Sequence, residues 1–181
     1  MNKAWKALLF TLAVAAPAVG QIKEKEQQIE EAVLPLPEAL RADAKVIRYD
    51  ADAKHSVLRE GTNGWICVTD DPTEGFTVGC HHESFHSFRQ RRRELLADGK
   101  SRDEMRSIRA AEVESGKLKI PDYTLHFYLM GGRRETALPL TVVSVPFATK
   151  ESTGLGTEPD NYRPWLMRAG TVDAHIMLPG R

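Results

Sequence analysis

The sequence predicts an α+β fold: a mainly antiparallel sheet with two central helices, in a single domain with one disulfide. Three observations predict it. Short runs of β-branched and aromatic residues, separated by turn residues, occupy residues 45–70. Two helical patterns follow at 82–97 and 101–115, and further strand-like runs complete the chain. Strands, then helices, then strands is an order typical of α+β proteins rather than of alternating α/β folds.

The chain opens with the pattern of a secretory signal peptide, residues 1–20. Lys3 and Lys6 form a basic front, residues 7–16 are an apolar run, and small residues precede the cleavage point. The apolar run of about ten residues is shorter than the roughly 20 that span a bilayer. We therefore predict an exported protein, periplasmic or secreted, that begins near Gln21 and keeps no transmembrane anchor after signal cleavage.

Removal of the signal peptide leaves 161 of the 181 residues, the usual size of one domain. The mature chain carries 23 basic and 25 acidic residues, a nearly neutral balance. This balance and the predicted export both argue against nucleic acid as a partner. We divide the mature chain into a flexible or helical N-terminal segment, residues 21–37, and a single α+β domain, residues 38–181.

The N-terminal segment has a thin apolar stripe, because Ile22, Ile29 and Val33 are spaced to share one face of a helix. Pro35 ends that pattern. We interpret the segment as a marginal, mobile helix; the alternative is a helix that binds a partner. The first strands of the domain, 45–50, 55–60 and 64–70, then predict a three-stranded meander, since Asn63-Gly64 is a strong hairpin signal.

Cys67 and Cys80 are the only cysteines of the chain. An even number of cysteines in an exported protein indicates a disulfide, and two cysteines allow one pairing. The alternative is a pair of thiolate metal ligands, against which the oxidising compartment and the absence of C-x-x-C spacing argue.

The central helices have different local signals. In the first, an apolar stripe runs along one face, and in the second, Ser101 and Glu104 form a capping box that predicts the helix start. The runs 123–130 and 140–147 predict strands. The last residues, PWLMRAG and VDAHIMLP, predict a hairpin.

The segment 82–86, HESFH, matches the pattern H-E-x-x-H of zinc metallopeptidases of the zincin class. On a helix, residues four apart lie side by side, so both imidazoles could bind one zinc ion and the glutamate could activate a bound water. The resemblance covers these five residues. It implies His82 and His86 as metal ligands and Glu83 as the catalytic base.

Three features weigh against a catalytic zinc. The extended motif has a histidine where this chain has Arg92, and glutamates of the next helix are unspecific replacements. A polar residue follows Glu83, where zincins have an apolar one. The two histidines flank the apolar stripe of the predicted helix. We therefore interpret the segment as a solvated helix flank and expect no cofactor; zinc remains the alternative, held structurally or adventitiously through His81, His82 and His86, or used in catalysis with Glu83.

Other residues have weaker signals. The basic run 89–93 is interpreted as the solvated side of an amphipathic helix, although arginines also bind anions bidentately. Trp65 is a candidate core or groove aromatic. His175, beside Asp173, could form an acid–base pair with His126 only if the fold brings the two histidines together.

Two blocks resemble an uncharacterised family of small exported bacterial proteins: LREGTNGWICVTDDP at 58–72, which contains REGTNGWxC, and PWLMRAGTVDAHIMLP at 164–179, which contains AHIMLP. The resemblance spans roughly residues 38–181. It implies a signal peptide, one domain and the Cys67–Cys80 pair, and it carries no activity.

These observations favour a non-catalytic periplasmic domain that binds a small ligand or another envelope protein. The alternative is a small zinc-dependent hydrolase that uses the HESFH segment. A structural envelope protein without a ligand is a third hypothesis, and it predicts no concave pocket lined by aromatic side chains such as Trp65 or Tyr128.

Overall fold

The computed structural model describes residues 18–70 and 75–179; most of the predicted signal peptide lies outside the described residues. The α-helices are α1 (Ala18–Ala32), α2 (Glu38–Arg41), α3 (His86–Ala97), α4 (Arg102–Glu114) and α5 (Lys150–Thr153). The strands are β1 (Lys45–Tyr49), β2 (His55–Arg59), β3 (Trp65–Val68), β4 (Phe76–His82), β5 (Thr124–Gly131), β6 (Leu138–Ser144), β7 (Trp165–Met167) and β8 (His175–Pro179). Short 3₁₀ turns occupy Glu83–Phe85 and Arg134–Thr136. None of the helices in these ranges is long and apolar enough to cross a membrane.

The strands form one sheet in the order β2-β1-β3-β4-β5-β6-β8-β7. Only β1 and β3 are parallel among these neighbours; the other pairs are antiparallel. The predicted α+β class with a mainly antiparallel sheet is therefore confirmed. Cys67 on β3 lies opposite Cys80 on β4, and the predicted disulfide joins them. The pairing of β7 with β8 confirms the predicted C-terminal hairpin.

The predicted three-stranded meander is wrong. β1 and β2 form a hairpin, but β3 pairs with β1, parallel to it and on its other side. The connection 60–64 crosses the start of β1, and the Thr62 amide donates to the Asp43 carbonyl oxygen at 2.8 Å. A Cβ at Gly61 would lie 2.1 Å from the Lys45 nitrogen, so only glycine fits this crossing. Gly64 has a φ of 76° but turns the chain into the crossover rather than into a hairpin.

One face of the sheet packs against the N-terminal helix. Residues at the end of α1 and just after it are buried, with Ala32 and Leu36 at 0% exposure. They pack with strand residues that point to this face, namely Val46, Cys67 and Cys80. Burial of these side chains fixes α1 over the β1–β4 half of the sheet.

The opposite face packs against α3 and α4. Phe88 and Leu95 of α3 are buried, and Arg91 of α3 forms a 2.8 Å ion pair with Glu112 of α4. The predicted capping box at Ser101 and Glu104 is present at the start of α4. The two helices do not cover the whole face, and a cleft remains between them and the strands from β5 to β8.

Candidate functional site

The cleft contains a cavity of about 410 Å³ between α3, α4 and the sheet. Successive residues of a strand point to opposite faces, so every second residue of β5, β6 and β8 contributes to its floor. These floor residues are His126, Tyr128, Met130, Leu140, Val142, Ser144, His175 and Met177. Phe85 and Phe88 close the cavity from the helix side. A volume of this size is within the range of small-molecule sites.

The cavity walls carry an excess of positive charge. Five arginines contribute, three from α3, one from α4 and one that follows β7: Arg89, Arg92, Arg93, Arg109 and Arg168. Asp173 is the one carboxylate that lines the cavity within the described part of the chain. This imbalance, in a partly desolvated space, makes an anion the favoured occupant.

Asp173 is already held by its own arginines. Nη2 of Arg109 donates to both carboxylate oxygens at 2.7 Å. Nε of Arg106 lies 3.5 Å from Oδ2, and Nη1 of Arg168 lies 3.6 Å from the same atom. Arg109 is 1% exposed and its guanidinium lies over the Phe88 ring at 4.2 Å. Asp173 therefore holds three guanidinium groups together at this end of the cavity, and the group as a whole keeps a net positive charge.

Among the described residues, neither Arg89 nor Arg92 forms an ion pair with a carboxylate. Arg89 donates a hydrogen bond to the Tyr128 hydroxyl, a neutral acceptor. Arg92 is exposed at the mouth and forms no hydrogen bond or ion pair with any residue that the structure describes. Partial burial of the guanidinium, followed by the charge of Arg89, lowers the pKa of Arg92, and the charge of Asp173 opposes this shift. An anion between these two guanidinium groups would relieve their repulsion.

Tyr128 is placed by a glycine on the next strand. Gly79 of β4 lies opposite Tyr128 of β5, and a Cβ at Gly79 would lie 2.5 Å from the ring. The ring therefore lies close over the backbone of β4, which holds its hydroxyl under Arg89. Sequence patterns alone do not reveal this pairing, because it depends on the β4–β5 register.

His126 and Ser144 form the one arrangement in the cavity that resembles a nucleophile with its base. His126 Nε2 lies 2.8 Å from Ser144 Oγ. Burial, followed by the charge of Arg89, lowers the pKa of His126 to about 3. Nδ1 of this buried imidazole has no hydrogen-bond partner in the described ranges, so no carboxylate orients the ring. A base of such low pKa abstracts protons poorly at neutral pH.

The fold places the candidate His175 in the cavity, near His126. Nδ1 of His175 lies 2.7 Å from the Asp173 carbonyl oxygen and donates to it, which leaves Nε2 as the acceptor in the neutral ring. Burial lowers the pKa of His175. The fold thus brings together His126 and His175, the pair that the sequence suggested as an acid and a base, but burial keeps both imidazoles neutral.

The candidate Trp65 lies on the opposite face of the sheet. Its ring packs against Phe127 at 5.3 Å and His82 at 6.1 Å, beside the cluster under α1. It therefore lines none of this cavity.

The HESFH segment is not one helix, contrary to the predicted helix over 82–97. His82 is the last residue of β4, Glu83 lies in a 3₁₀ turn, and His86 begins α3. His82 and His81 point to opposite faces, since neighbouring strand residues alternate. His81, rather than His82, therefore meets His86, with Nε2 and Nδ1 3.2 Å apart and the rings stacked.

The zinc hypothesis lacks its assumed geometry. His82 Nδ1 accepts from the Ser84 amide, and Glu83 is exposed. Across residues 18–70 and 75–179, no group of three or more His, Cys, Asp or Glu side chains is placed to hold a metal ion. Zinc binding at His81, His82 or His86 stays an alternative hypothesis that the motif alone supports.

The basic run 89–93 is not simply a solvated face, so that interpretation was wrong. Arg89 contacts Tyr128, Arg91 pairs with Glu112, and the Arg93 guanidinium lies 4.0 Å from the centre of the Tyr49 ring. The basic run was the one signal in the sequence that pointed to this cavity. The sequence did not show which of its arginines face the cavity, because that depends on how α3 packs on the sheet.

No family model, no curated protein and no solved structure matches this chain.

Proposed function

We propose that this protein binds an anionic amphiphile, a small molecule with an apolar body and one acidic group, in the arginine-lined cavity. The observation that carries the proposal is the placement of Arg89 and Arg92, which form no ion pair among the described residues, above a floor in which four of the eight side chains are apolar. Guanidinium groups recognise carboxylates and phosphates. The floor, which includes Leu140, Val142 and Met177, would bury the apolar body.

We infer binding rather than catalysis. A hydrolase would need Ser144 to be activated, and the low pKa of His126 makes the imidazole a weak base at neutral pH. The arginines that hold Asp173 also leave that carboxylate no free role as a proton acceptor. Export to the periplasm belongs to the same proposal, and the Cys67–Cys80 disulfide supports it.

The first prediction compares two ligands that have the same alkyl chain. Octanoate and 1-octanol differ in charge but bury the same alkyl group, so the difference between their dissociation constants isolates the arginine contribution. A hydrogen bond to a charged group contributes about 1.5–3 kcal/mol. Isothermal titration calorimetry at pH 7.5 should therefore show octanoate binding at least about tenfold more tightly.

Variants separate the cavity from the general surface charge. Arg92→Gln should weaken octanoate binding by about tenfold and leave octanol unchanged. Arg163→Gln is the matched control, because Arg163 is exposed and pairs locally with Asp160. Equal affinity for acid and alcohol in the unmodified protein, or equal losses in the two variants, would contradict the proposal.

A further inference from the structure

A second cavity, of about 600 Å³, adjoins the first beneath α3. Arg89, Arg92, Arg93, Tyr128 and Met130 line both cavities. The Arg89–Tyr128 hydrogen bond therefore lies at the junction of the two spaces. A molecule seated at this junction can extend in both directions along the cleft.

The two cavities differ in their chemistry. Four of the eight floor residues of the first are apolar, Met130, Leu140, Val142 and Met177, and Phe85 and Phe88 close it from the helix side. The second also has apolar side chains, among them Val68 and Leu96, but it adds the hydroxyls of Thr69 and Thr77. Arg102 of α4 stands at its far side. The second cavity therefore suits a group that makes hydrogen bonds.

Among the residues that the structure describes, the carboxylates that line the two cavities already accept hydrogen bonds. Asp173 is held by Arg109, Arg106 and Arg168 in the first. In the second, Oδ1 of Asp50 accepts from the backbone amides of residues 52 and 54 within a tight turn. Neither acid forms an ion pair with Arg89 or Arg92, so the positive charge of these two arginines lies between the more apolar first cavity and the second.

We propose that the ligand is a phosphodiester amphiphile, with its alkyl chain in the first cavity, its phosphate at Arg89 and Arg92, and its polar headgroup in the second cavity. This assignment rests on the proposed function. A carboxylate group stands at the end of an alkyl chain, whereas a phosphodiester carries a substituent on each side of its charged group. Because Arg89 and Arg92 lie between two cavities, a ligand with substituents on both sides of its charge fits them better. The diester oxygens also suit two guanidinium groups.

The test uses two diesters of equal charge, octyl methyl phosphate and octyl glyceryl phosphate, with octanoate as the reference for the first cavity. Calorimetry on the full mature protein should show the glyceryl diester binding at least fivefold more tightly than the methyl diester. Thr77→Leu, which fills the second cavity, should abolish that difference and leave octanoate binding within twofold. Thr136→Leu, in a 3₁₀ turn outside both cavities, should leave the difference intact.

The outcomes separate the two proposals. Equal affinities for the two diesters, with octanoate still bound, would overturn the headgroup assignment and leave the anionic cavity standing. A Thr77→Leu variant that keeps the full difference between the two diesters would place the headgroup outside the second cavity, which also overturns it. Failure of octanoate and both diesters to bind would reject the proposed function itself.

Discussion

At the scale of single residues, the cavity is built around imidazoles that the fold keeps neutral. His126 is 1% exposed, and the charged or titratable groups that act on it are Arg89 and His175, which both oppose its protonation. His81, with Arg89 and Arg93 near it, has a pKa well below its ordinary value for the same reason, burial first. The neutral His126 ring, which forms part of the floor of the cavity, keeps that floor compatible with an apolar occupant.

The neutral His126 predicts acid sensitivity. Its pKa is about 3 in the folded protein and near 6.5 in the unfolded chain, so the unfolded chain binds more protons below about pH 6.5. Stability therefore falls as pH falls. Between pH 7.5 and pH 5, this one residue should remove about 2 kcal/mol from the free energy of unfolding.

Guanidinium denaturation at the two pH values measures this effect. His126→Gln should lose about 2 kcal/mol less than the unmodified protein over the same interval, since the amide does not titrate. Ser144→Ala keeps the imidazole while it removes the hydroxyl partner, and its pH dependence should match the unmodified protein. Identical pH dependences for His126→Gln and the unmodified protein would mean that His126 is not buried as a neutral group.

At the scale of elements, the disulfide fixes the centre of the sheet. Cys67 and Cys80 are directly opposite on β3 and β4, and both are fully buried under α1. β4 carries His81 and Gly79 on the other face, where they contact α3 and Tyr128. The bond therefore couples the α1 face to the strand that positions Tyr128 in the cleft.

Removal of the disulfide should destabilise the protein by about 3 kcal/mol, because a loop of this length restricts the unfolded chain by that amount. The Cys67→Ala/Cys80→Ala double variant should show this loss in guanidinium denaturation at pH 7.5. The unmodified protein, denatured with a reducing agent present, should approach the same midpoint. A loss below about 1 kcal/mol would show that packing against α1 holds β3 and β4 in register without the bond.

At the scale of the whole molecule, the features that the sequence predicted correctly are those set by neighbours in the chain. The capping box at Ser101 and Glu104 and the β7–β8 hairpin are local, and the disulfide had one possible pairing. The cavity was not predictable in this way, because its residues come from α3, α4 and four strands. Whether His81 or His82 faces α3 depends on the register of β4, because a shift by one residue moves every side chain of a strand to the opposite face.

The crossover from β2 to β3 is the largest difference between the predicted and observed topology, and Gly61 makes it testable. An added Cβ would lie 2.1 Å from the Lys45 nitrogen and 2.6 Å from the Ala44 carbonyl carbon, both backbone atoms that cannot move alone. Gly61→Ala should therefore cost more than about 3 kcal/mol of unfolding free energy, since β1 and the crossing segment must separate. Gly132→Ala is the matched control, because a Cβ there meets nothing within 4 Å. Thermal unfolding by circular dichroism compares the two variants. Similar melting temperatures for both would mean that β3 reaches its place beside β1 by another path, and the parallel β1–β3 pairing would have to be abandoned with it.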